Sequence, residues 1–214
     1  AEIEKRLSSP EPIVMALGTG RTLKAAIEKL PAMECQQHKV VSLTGNIAPD
    51  GSAAFYNVVF TMADKVKSRS FPMPLPVIAS SPEERELLHG QELIRATMTL
   101  AAQADVTFVG VGDLGPEAPL YQDGFISKGE LEALREAGAV AEIVGWAFDS
   151  EGRPVEDVIN DRVASTPIPS RDSSEVIALA MGERKLPGIF AAVSGRLVNG
   201  LITDERTAAA LLAM

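Results

Sequence analysis

The chain has 214 residues, 46% of them hydrophobic, which is enough to bury a sizeable core and suits one large α/β domain better than two small ones. With 20 Lys and Arg against 29 Asp and Glu, the formal net charge is −9, which argues against a chain that tracks a phosphate backbone, because such binding needs clustered basic residues to displace counterions. The single cysteine, Cys35, excludes an intrachain disulfide; no apolar run reaches the roughly 18 residues of a membrane span, and the start lacks a signal-peptide core, so a cytoplasmic chain away from membranes is expected.

Short apolar runs alternate with helix-like stretches along the whole chain. Ile13 to Leu17, Val40 to Leu43, Leu75 to Ala79, Val106 to Val111, Val176 to Met181 and Leu197 to Thr203 predict buried strands. Between them, Ala53 to Lys67 sets Phe55, Val58, Val59, Met62 and Val66 at helical spacing, with Asp64 and Lys65 on the polar side. Ser81 to Glu84 and Ser127 to Glu130 read as capping boxes, and Thr203 opens a closing helix that runs to Met214. From Gly138 to Thr166 the pattern changes: Val144 to Phe148 and Arg162 to Ser165 predict strands around the turn at Asp149 to Gly152, a small antiparallel insertion. The expected fold is a three-layer α/β domain over residues 1–214, a mostly parallel sheet with helices on both faces.

In such a sheet, ligands collect beyond the carboxyl ends of the strands. Four apolar runs end there in glycine-containing polar turns: Gly18-Thr19-Gly20-Arg21-Thr22, Thr44-Gly45-Asn46, Val111-Gly112-Asp113 and Gly182 to Lys185. The first leads straight into a helix whose free N–H groups, with Arg21 and Thr22, suit an anion. By itself the motif reads equally as a tight turn with Arg21 in solvent, and it is neither a Walker A loop nor a full dinucleotide fingerprint. Taken alone, Lys185 reads as a surface lysine and Asp149 as a turn residue, although each stands where it can reach a hydroxyl or anion.

No catalytic constellation stands out. His38 and His89 lie in polar segments that read as surface, Ser194 lacks a nucleophile-elbow context, Met15, Met62 and Met181 read as core filler, and no Cys/His spacing suggests zinc, so no catalytic residue, metal or cofactor is assigned.

Together these segments resemble the effector-binding domain of the sorbitol-operon-regulator (SorC-type) family of bacterial transcriptional regulators, over nearly the whole chain from Val14 to Leu212. The resemblance is carried by Val14 to Thr22, by Asp105 to Asp113, by Gly138 to Gly145 with Phe148-Asp149, and by Gly195 to Glu205. It implies a fold similar to ribose-phosphate isomerases and glucosamine-phosphate deaminases, used to sense a sugar, sugar alcohol or sugar phosphate. Ligand contacts would fall on Gly20, Arg21, Thr22, Thr44, Asn57, Gly112, Glu142, Asp149 and Lys185, with Gln122 a looser candidate; Gly18, Thr19 and Asp113 join them as members of the same turns. The chain departs from the pattern at Thr19, where many relatives have Trp, at Ala141-Glu142 in place of Gly-Asp, and at Ala180-Met181 in place of Gly-Gly, so the ligand's identity does not transfer.

The resemblance implies a non-enzymatic module that contacts operator DNA only through an N-terminal helix-turn-helix for which this chain has no room, and that assembles as a homodimer or homotetramer. Two other functions fit the same fold class: a sugar-phosphate isomerase or deaminase, and a purely structural oligomerisation domain.

Overall fold

The computed structural model describes residues 1–54, 58–156 and 159–214. Its main sheet is formed by β1 (Val14–Leu17), β2 (Lys39–Ile47), β3 (Arg69–Pro76), β4 (Val106–Gly110), β8 (Glu175–Leu179) and β9 (Gly200–Ile202). These pair in parallel in the order β3-β2-β1-β4-β8-β9. The chain therefore winds outward from β1 in one direction and from β4 in the other, leaving a crevice between the carboxyl ends of the two central strands.

Alternation along the strands builds a core on each face. Met15 and Leu17 of β1, with Phe108 of β4, pack under α1 (Glu2–Leu7), α2 (Arg21–Glu28) and α3 (Val59–Val66). Ala16 points the other way, joining Val109 and Ala178 beneath α5 (Glu92–Ala102) and α8 (Leu186–Ser194). A helix layer covers each face, as expected. The chain closes with α9 (Glu205–Leu212), whose cap is Asp204 rather than Thr203: Asp204 Oδ1 accepts the Thr207 N–H at 2.7 Å.

The antiparallel insertion is present with different strands. It pairs β5 (Gly112–Asp113), β6 (Ala141–Ile143) and β7 (Trp146–Phe148). The turn between β6 and β7 is only Val144-Gly145, with φ of 52° and 91°, as a two-residue hairpin with the right twist requires. Arg162 to Ser165 is not a strand; Val163 makes one bridge to Ile78, because Asn160–Arg162 turns the backbone just before it. Packed on this module are α6 (Pro119–Gln122) and α7 (Lys128–Glu136), the latter opened by the Ser127/Glu130 capping box. Ser81 caps α4 (Pro82–His89) by accepting the Glu84 N–H, but the Glu84 carboxylate turns back to Ser80 instead.

Two further expectations need correction. The strand predicted at Leu75 to Ala79 lies earlier, over β3, at the sheet edge. Its alternate prolines, Pro72, Pro74 and Pro76, lack the outward N–H groups that a neighbouring strand would use, so the segment is tolerable only there. The helix predicted from Ala53 begins only at Val59, since Ala53 returns in a short hairpin against Ile47, while Val58, Val59, Met62 and Val66 are buried as the spacing implied; Phe55 and Asn57 lie outside the described residues. Lys65 stands on the polar side of α3, where its ammonium donates to the Leu30 carbonyl at 3.0 Å.

His38 is not on the surface. It is fully buried, its Nδ1 accepting the Ile13 N–H at 3.2 Å and its Nε2 lying 3.0 Å from the Leu7 carbonyl, which fixes the neutral ring with the proton on Nε2. His89 is likewise occupied, with Nε2 2.9 Å from the Ala164 carbonyl. Each is tied to a backbone carbonyl, a detail that no spacing in the sequence reveals.

Candidate functional site

The crevice beyond β1 and β4 opens into a cavity of about 810 Å³. Its shape depends on close backbone approaches. A Cβ on Gly110 would stand 2.7 Å from the Thr19 carbonyl, so only glycine lets the first turn cross the end of β4. Gly18 lies beneath the cavity, pressed against Val144 of the β6/β7 hairpin tip, and does not line it.

Thr19, Gly20, Arg21 and Thr22 form one wall. Gly20 is the N-cap of α2 at φ 127°, the helix's first turn carries no acidic residue, and among the described residues no side chain caps it, so the positive end of the helix dipole faces the cavity. Opposite, the short helical turn Glu183–Lys185 brings in Arg184 and Lys185. The Lys185 ammonium donates to the Val111 carbonyl at 2.7 Å; burial lowers its proton affinity, and Glu142 and Asp113 oppose that loss. Arg184 pairs with Glu117 at 2.6 Å, but both are largely exposed, so the pair is worth only ~0–1 kcal/mol.

The inner wall is acidic. Asp113 and Glu142 come from the paired strands β5 and β6, and a Cβ on Gly112 would overlap the Glu142 carboxylate, so the glycine gives that side chain its room. Glu142 Oε2 accepts the Gly145 N–H at 2.9 Å. Burial raises the Glu142 carboxyl above the usual glutamate range against that bond and Lys185, with Asp113 and Asp123 adding to the rise; burial also raises Asp123, with Arg21 opposing. Thr44 completes this side: it is 3% exposed, and its hydroxyl has no hydrogen-bond partner among the described residues. An unsatisfied buried hydroxyl facing a cavity is a ready contact for a ligand hydroxyl.

The structure thus brings together Thr19, Gly20, Arg21, Thr22, Thr44, Gly112, Asp113, Gln122, Glu142 and Lys185 of the sequence-derived candidates. Asp149 is not among them. Its carboxylate holds the turn below β7, Oδ1 accepting the N–H groups of Glu151 and Arg153 at 2.9 Å each. Sequence reasoning missed Glu117, Asp123, the hairpin at Ala48 to Ala54 and Val144-Gly145, all of which line the cavity. Asp123 follows Gln122 directly and was within reach; the hairpin was hidden inside a helical spacing pattern. Met181 stands 45% exposed at the rim rather than in the core.

A pH dependence follows from Glu142. Because its folded-state carboxyl titrates above its unfolded value, its contribution to stability is complete below the ordinary glutamate range and is lost as pH rises through the raised value. Glu142→Gln is therefore expected to unfold at a higher urea concentration than the parent at pH 8 and to differ less at pH 4. A parent-minus-variant difference independent of pH would contradict this.

A cavity at the switch point of a doubly wound parallel sheet, with a helix N-terminus on one wall and carboxylates on another, defines a small-molecule-binding α/β domain. The chain belongs to the family described as a sugar-binding domain (Sugar-bind), whose model matches residues 1–213. It is 33% identical over 199 residues to the erythritol catabolism regulatory protein EryD of Brucella abortus, covering 93% of this chain and 63% of that protein. It is 32% identical over 206 residues to the transcriptional regulator LsrR of Klebsiella pneumoniae, covering 94% of this chain and 62% of that protein. The chain thus spans less than two thirds of these relatives. The fold is similar to the full-length sorbitol operon regulator SorC from Klebsiella pneumoniae, with a TM-score of 0.87 at 24% identity over 99% of this chain and 70% of that one. A DeoR family transcriptional regulator from Listeria monocytogenes gives a TM-score of 0.87 at 20% identity, over 98% and 83% of the two chains.

Proposed function

We propose that this chain is the effector-binding domain of a bacterial transcriptional regulator, a single unit over residues 1–214 that binds a sugar, sugar alcohol or sugar phosphate and thereby biases operator binding by a longer protein. The observation that carries this is the cavity's polarity: cationic and N–H-rich at Gly20 to Thr22 and Lys185, carboxylate- and hydroxyl-rich at Asp113, Glu142 and Thr44. The cationic groups suit an anionic group of a ligand, and the carboxylates and the Thr44 hydroxyl suit its row of hydroxyls. The reading as a regulator rather than an isomerase or deaminase is supported by the regulatory names of the relatives. DNA contact belongs to another part of the longer protein, in keeping with the net charge of −9. Residence in the cytoplasm and assembly into a homodimer or homotetramer complete the proposal; among the described residues no helix is long and apolar enough to cross a membrane.

The test is a thermal-shift screen of sugars, polyols and their phosphates. A ligand that binds only the folded state at about 100 times its Kd adds about 2.7 kcal/mol of stability. At least one compound is expected to raise Tm and to be recovered chemically unchanged after prolonged incubation. Turnover of the bound compound to an isomer or a deaminated product would favour the enzyme instead.

A further inference from the structure

Glu142 is held on the inner wall of the cavity from two sides. Its Oε2 is fixed by the Gly145 N–H, and its other oxygen fills the space where Gly112 lacks a side chain. The charged groups around it come from every neighbouring element: Asp113 from β5, Lys185 from the turn after β8, and Asp123 from the end of α6, itself facing Arg21 of α2. Arg184 at the rim is paired with Glu117. The inner wall therefore sets three carboxyl groups against Lys185 and Arg21, and Lys185 is committed to the Val111 carbonyl.

An anion entering between α2 and Lys185 adds negative charge to this enclosure. Reorienting Glu142 would give up its bond from the Gly145 N–H, and the other carboxyl groups only add to the charge. We propose that anion binding in this cavity is coupled to the uptake of one proton by Glu142. The inference rests on the reading of the cavity as an effector site. The proton converts the side chain to a neutral acid that keeps its Gly145 bond through the carbonyl oxygen, and it removes one of the two carboxylates, Glu142 and Asp113, that draw on Lys185. Burial already biases Glu142 toward the acid form, so the uptake falls within an accessible pH range. The effector site thereby reads pH as well as ligand: the same anion concentration fills it more fully in a more acidic medium.

Sulfate is a suitable probe because its charge is constant from about pH 5 to pH 9. In the 214-residue chain, the Glu142 carboxyl carbon is followed by NMR across this range with and without saturating sulfate, and Glu142→Gln assigns the signal. The expected midpoint lies above the ordinary glutamate range in the empty cavity and rises further with sulfate. Sulfate affinity should fall about tenfold per pH unit above that midpoint, the slope for one linked proton, and this slope should vanish in Glu142→Gln. A midpoint unmoved by sulfate, sulfate that fails to bind, or a slope that survives in Glu142→Gln overturns the inference. The titration of the parent chain decides it even if the variant does not fold. The proposed function is judged separately, by the sugar screen: a sugar phosphate that binds without moving the Glu142 midpoint leaves that function standing and removes the proton coupling.

Discussion

Asn160→Ala is expected to lower the unfolding free energy by about 3 to 5 kcal/mol, the largest stability loss foreseen for one polar side chain here. Asn160 is 5% exposed, and its amide satisfies three buried backbone groups: Oδ1 accepts the Ala147 N–H at 2.8 Å, and Nδ2 donates to the carbonyls of Ala147 at 2.9 Å and Val155 at 2.7 Å. The Ala147 carbonyl keeps a second donor, the Val155 N–H at 3.1 Å. The Ala147 N–H and the Val155 carbonyl lose a buried partner, at about 1 to 3 kcal/mol each, and a small cavity adds to the loss. Asn160→Asp should fare no better at neutral pH, since a carboxylate would face two carbonyl oxygens. Urea denaturation checks both variants, and a loss below about 1 kcal/mol for Asn160→Ala would mean that this amide does not hold β7 in place.

Lys185→Met should weaken binding of the screened ligand by roughly 10- to 100-fold, corresponding to about 1.5 to 3 kcal/mol for a hydrogen bond to a charged group, while the chain stays folded. Methionine keeps the stem against its neighbours and removes the ammonium. The free protein loses its bond to Val111, but it also sheds a desolvated charge, so the two effects on stability offset each other in part. Lys128→Met is the matched control, since Lys128 is 75% exposed and only 3.7 Å from Glu132 in an i,i+4 pair. Calorimetric titration of both variants is the measurement. Equal affinity in the parent and Lys185→Met would remove Lys185 from the ligand's surroundings and move the anionic end to the α2 wall alone.

The sequence made the layers and most of the site legible because both depend on local patterns. Apolar runs bounded by glycine turns located β1, β4 and β8, and the same turns supplied Gly20 to Thr22, Gly112-Asp113 and Lys185. What stayed hidden depends on partners distant in the chain. His38 reads as a surface residue until Leu7 and Ile13 are seen to close over its ring. Asn160 carries no signal in the sequence, since its partners Ala147 and Val155 are set beside it only by the fold. Asp149 sits one residue beyond a strand, which makes it look like a ligand contact, yet its oxygens are taken by the amides of its own turn. The hairpin before α3 was lost because Ala53 and Ala54 favour a helix by propensity, and only their pairing with Asn46 and Ile47 overrides it.

The order of the central strands also bears on how the cavity comes into being. Its walls are drawn from segments near residues 19–22, 44–54, 110–125, 142–145 and 179–185, and β1 meets β4 about 90 positions away along the chain. Contacts of such high sequence separation close late, after the loop entropy between them has been overcome, so the ligand pocket exists only once the whole doubly wound sheet has condensed. No fragment of the chain can carry binding on its own, and occupancy of the pocket by a ligand reports on global folding: a compound that fills it should slow unfolding of β1, β4 and β8 together, as one cooperative unit.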